Sequence, residues 1–71
     1  MDEQTQKAFS RLWTLWKSNQ DIDGTEETWN NFLAEVEAVY NAADTAKDPE
    51  FIREFCLSVV NSVQRIYKQN N

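Results

Sequence analysis

The side chains that could do chemistry in this 71-residue chain are carboxylates and a single thiol. Two acid pairs stand out, Glu26 with Glu27 and Glu35 with Glu37. A carboxylate pair divides acid and base roles only when a shared pocket pushes the two pKa values apart, and close neighbours on a helix diverge instead of converging. Both pairs are therefore expected to be solvated. There is no histidine, so Cys56 has no partner for a Cys–His nucleophile or for a Cys/His zinc site within one chain. Its place among apolar residues predicts a small buried hydrophobe, not a reactive thiol. One glycine cannot build a Gly-rich phosphate loop. The expectation is a chain with no catalytic residues, no cofactor and no enzyme activity.

The acids of residues 19 to 30 have a second possible use. Asn19, Asp21, Asp23, Gly24, Thr25 and Glu27 occupy positions one, three, five, six, seven and nine of a window that resembles the calcium-binding loop of the EF-hand family. The resemblance covers that window alone. It departs at the twelfth position, where Asn30 cannot supply the bidentate carboxylate, and at the eighth, where Glu26 replaces an apolar residue. Weak calcium binding by the 19–30 loop is what the resemblance implies. A capped turn between two helices accounts for the same Asp-Gly pair without any ion, and no metal ligand is assigned.

Helices must position these residues. The chain is 41% hydrophobic, with three Trp, four Phe and two Tyr, too aromatic for a disordered segment; one Gly and one Pro leave little material for a turn-dense β fold. Trp29, Phe32, Leu33, Val36, Tyr40 and Ala43 recur at spacings of three and four, which predicts a central helix over about residues 25–46 with Val39 at the margin of its buried face. On the reverse side, Ala34, Ala38 and Ala42 read as good helix formers. A first helix is predicted over about residues 3–18, with Asp2 and Glu3 at its positive end and Lys17 at the other. Its inward face is read as Phe9, Leu12, Trp13 and Trp16, with Ala8 and Leu15 to one side. The connection is polar except for Ile22, and Asp23 and Thr25 are rival caps for the second helix. Asp48-Pro49 opens a third helix over about residues 49–68, with Ile52, Phe55, Cys56, Val59, Val63 and Ile66 inward. Gln69, Asn70 and Asn71 are expected to fray. Together these segments predict an all-α fold, one domain over residues 1–71, in a small antiparallel three-helix bundle. Its size is close to the minimum for a single core.

The net charge of −5 is unevenly spread. Residues 1–17 carry +1 and residues 51–71 carry +2, whereas residues 18–50 set nine acids against Lys47 alone, for −8. An acidic surface repels phosphate backbones and anionic lipid, so direct nucleic-acid or membrane partners are not expected. No apolar run of membrane-spanning length is present and the lone cysteine makes no intrachain disulfide, from which a cytoplasmic location is expected. The apolar inventory exceeds what one small core needs. The expected function is therefore a non-catalytic protein-interaction module, binding a protein partner or itself as a homodimer through helical apolar surface. Leu15, Leu57 and Val60 are the apolar candidates for that interface, and Glu35 and Glu37 the charged ones. The alternative is an acidic inhibitor or decoy whose −8 segment occupies the basic nucleic-acid-binding surface of a target protein.

Overall fold

Capping chemistry in the sequence sets where each helix begins. A computed structural model describes residues 2 to 70 and contains α1 (Glu3–Ser18), α2 (Glu26–Ala42) and α3 (Pro49–Asn70), with a 3-10 turn at Ala43–Thr45. There is no strand among the described residues. Asp2 caps α1: its carboxylate accepts from the Thr5 backbone N–H at 3.3 Å and from the Thr5 hydroxyl. That second bond lets Thr5 be buried, since its hydroxyl is satisfied locally. Thr25 is the cap of α2, accepting from the Thr28 N–H at 3.4 Å. Asp23 stands one layer behind it and accepts from the Thr25 N–H at 3.0 Å and from its hydroxyl at 2.6 Å. The rival caps thus cooperate. Asp48 accepts from the Phe51 N–H at 3.2 Å, so α3 opens with Pro49 where a missing N–H costs nothing.

Two boundaries differ from expectation. The α-helix of the middle segment stops at Ala42, and the 3-10 turn tucks Ala43 into the core before Ala46 takes an extended conformation. The chain must reverse within a few residues to reach Asp48, and tightening the last turn does this without exposing Ala43. At the other end, α3 continues through Gln69 and Asn70 instead of fraying. The Asn70 side-chain amide donates to the Ile22 carbonyl at 2.8 Å, which fastens the end of α3 to the first connection. Asn71 lies outside the described residues.

Cross-helix contacts give the directions. Phe9 stacks on Phe51 and Phe55, and Trp16 donates its indole N–H to the Ser62 hydroxyl at 3.0 Å, so α1 and α3 run parallel. Trp29 stacks on Tyr67, and Arg53 lies over the Tyr40 ring, so α2 is antiparallel to α3. The result is an up-down-up bundle of 37 × 16 × 15 Å, in which consecutive helices are antiparallel.

Leu12, Leu15, Phe32, Val36, Ile52, Cys56, Val59 and Val63 fill the shared interior, with Ile22 and Ala43 closing its ends. Not every expected core residue is there. Phe9 is 37% exposed, Trp13 49% and Tyr40 38%. The inward axis of α1 runs through Thr5, Ala8, Leu12 and Leu15, so the rings of Phe9 and Trp13 fall on the flank that faces α3, where their outer halves meet solvent.

Candidate functional site

The five residues picked from the sequence do not form one patch. Leu15 is 3% exposed and belongs to the core, which corrects its assignment to an exposed interface. It is one helical turn from Leu12 along the inward axis of α1 and closes against the α2 side, where Phe32 is packed. Leu57 is 57% exposed, on the outward side of α3, whereas Val60 is half-buried against the core and does not extend it into a strip. Glu35 pairs with Arg11 of α1 at 3.4 Å. Glu37, about 200° away around α2, is exposed and makes no ion pair among the described residues.

The carboxylates are equally dispersed. Among the described residues no three Asp, Glu or Cys side chains gather around a common point. In the window that resembles an EF-hand loop, α2 already begins at Glu26, and Asp23 is engaged by Thr25. The hydroxyl and then the amide of Thr25 hold the Asp23 carboxyl below its ordinary pKa, and Asn19 turns its amide to the Leu15 carbonyl at 2.7 Å. Cys56 is buried, and loss of water pushes its thiol pKa up, so the thiolate is suppressed.

Two surface features lie on either side of α1. Between α1 and α2 runs an open groove of about 440 Å³. Ala34, Ala38 and Ala42 form one wall, Val39 and Ile52 contribute apolar floor, and the rim charges Lys7 and Arg11 are each paired with an acid, Glu3 at 3.2 Å and Glu35. Such a groove offers apolar surface beside exposed ion pairs.

The second feature is aromatic. Along the seam of α1 and α3, Phe51 and Phe55 stack on Phe9 with centroids 5.7 and 4.4 Å away, and Trp13 stacks on Trp16 at 5.2 Å. A shallow cleft of about 200 Å³, lined by Trp13, Trp16, Phe55, Ser58 and Val59, joins the two groups. The rings are positioned firmly: Trp16 is tied to Ser62, Phe55 packs on the core, and the Lys17 ammonium sits 5.7 Å from the Trp13 ring centroid. Phe9, Trp13 and Phe51 nevertheless remain more than a third exposed. Sequence reading placed Phe9 and Trp13 in the core and missed the row. The available signal was the Thr5, Ala8, Leu12 and Leu15 spacing, whose small and aliphatic members mark the true inward axis.

No known protein family, characterised protein or solved structure matches this chain.

Proposed function

We propose that this chain is a small acidic, non-catalytic interaction module that contacts protein through the aromatic seam of α1 and α3. The observation that carries the reading is the row Phe51, Phe9, Phe55, Trp13 and Trp16, rigidly stacked yet partly open to solvent. Aromatic side chains dominate the energetics of protein interfaces because each removes a large area from water at little entropic cost. What lies elsewhere supports contact over turnover: the cations at the rim of the α1–α2 groove are each paired with an acid and the thiol is buried. No helix among the described residues is long and apolar enough to cross a membrane, and a cytoplasmic setting fits a lone unpaired cysteine.

The test compares retention of host proteins, and of the chain itself, on immobilised wild type and on Trp13→Glu. Contact through the seam predicts a protein held by the wild type and released by the variant. Equal retention by both would remove the seam from the interface.

A second reading keeps the acidic segment as the contact, a decoy for the nucleic-acid-binding surface of a basic target. What favours it is the exposure of Glu26, Glu27 and Glu37 along one helix that carries no Lys or Arg. Capture by that route would weaken steeply with salt and with Glu37→Lys, and would be indifferent to Trp13.

A further inference from the structure

Resting on the reading of the aromatic seam as a protein contact, we propose that its occupant is a second copy of this chain, packed seam to seam about a twofold axis that passes near Trp13. Charge singles out this face. Self-pairing through α2 would set the strongly acidic middle segment against itself, and the repulsion of like charges opposes it. The α1–α3 face lacks that excess and, moreover, carries opposite signs at its two ends. Because α1 and α3 are parallel, the end near Phe9 and Phe51 carries Glu54, one turn from Phe51, while the end near Trp16 and Ser62 carries Lys17 and Arg65, one turn from Trp13 and Ser62 respectively.

A twofold axis through the middle of the row lays the acidic end of one copy on the basic end of the other. On α3 the midpoint between Glu54 and Arg65 falls between Val59 and Val60, level with Trp13 across the cleft that Trp13, Ser58 and Val59 line. Trp13, the most exposed ring of the row, therefore sits at the centre of the contact, where water is most fully excluded and truncation is most costly. This arrangement is isologous and closed, so it stops at two copies. It also sets the parallel helix pair of one copy antiparallel to that of the other, which opposes their dipoles.

The experiment is molecular mass by light scattering and sedimentation, from micromolar to near-millimolar protein and from low to molar salt, with far-UV circular dichroism on every variant. Wild type is expected to form a dimer that survives high salt. Trp13→Glu should keep its helicity and weaken the dimer at least a hundredfold, whereas Leu57→Glu, on the outward side of α3, should leave it intact. Arg65→Glu should weaken it severalfold at low salt, and the double variant with Glu54→Arg should restore it, because the two ends face each other across the axis. A wild type that is monomeric throughout overturns the second copy as occupant; so does a dimer lost in Leu57→Glu and kept in Trp13→Glu. The underlying contact reading is decided separately. If a monomeric wild type still retains a host protein that Trp13→Glu releases, that reading stands while the dimer falls, and if it retains none, both fall.

Discussion

Helix α1 meets its two neighbours in opposite ways. Towards α3 it presents Phe9, Trp13 and Trp16, large rings on the flank of the inward axis, which stack on Phe51, Phe55 and one another and reach the surface. Towards α2 it presents Gln4, Lys7, Ala8 and Arg11 opposite a wall of alanines, and the seam stays open as a groove bridged by the Arg11–Glu35 pair. The core beneath is common to both. The difference teaches that side-chain size, more than apolar count, decides what a bundle seam becomes. Large rings yield a partly exposed ridge and small residues a trough.

The largest expected effect separates core from seam. Leu15→Asp places an unpaired charge in the interior and should unfold the domain, because burial without a partner costs several kcal/mol out of a total stability of about 5 to 15. Leu57→Asp, on the solvent side of α3, should shift the thermal midpoint by an amount corresponding to no more than about 0.5 kcal/mol. If both variants melt alike, the assignment of Leu15 to the core is wrong.

A smaller effect should sharpen the contrast between the seams. Trp16→Phe keeps a ring in the α1–α3 row but removes the N–H that bonds Ser62, and urea unfolding should show a loss of about 1 kcal/mol. On the other side, Ala38→Leu enters a groove with room for it and should change stability by about 0.5 kcal/mol at most. A strong loss for Ala38→Leu would mean that the trough is closed in solution.

The smallest effect is common to both seams, because it lies in the caps. The Thr5 hydroxyl holds the Asp2 carboxyl below its ordinary pKa, as Thr25 does for Asp23. A carboxyl whose folded pKa is depressed contributes stability that is present above its unfolded pKa and lost as pH falls through the folded value. Melting temperatures measured from neutral pH to below about pH 4 should therefore decline on the acid side, and Asp2→Asn with Asp23→Asn should make that decline shallower. An acid limb unchanged in the double variant would show that these two caps carry none of it.

How far the sequence could be read follows from the kind of signal involved. Helix starts were legible because Asp2, Thr25 and Asp48 act within three residues of themselves, and local chemistry is fully visible in a row of letters. The three-helix architecture was legible from the spacing of apolar residues. The aromatic row was not, since a wide apolar sector fixes a face without saying which edge of it points at the bundle axis. Phe9 and Trp13 were assigned inward and Leu15 to the margin, and their places are reversed. The packed end of α3 was missed for a related reason: Asn70 is held by a carbonyl 48 residues away, and no local pattern announces such a bond.

The central proposal is that a second copy of the chain packs on the seam of α1 and α3, and the three tryptophans report on that contact directly. Trp13 and Trp16 lie in the row, while Trp29 is stacked on Tyr67 between α2 and α3. In a proton–nitrogen NMR spectrum each indole N–H gives its own peak, which can be followed as protein concentration rises. The account predicts that the Trp13 peak moves most, that the Trp16 peak, tied to Ser62, moves less, and that the Trp29 peak stays in place. Three stationary peaks, or movement of Trp29 alone, would contradict it.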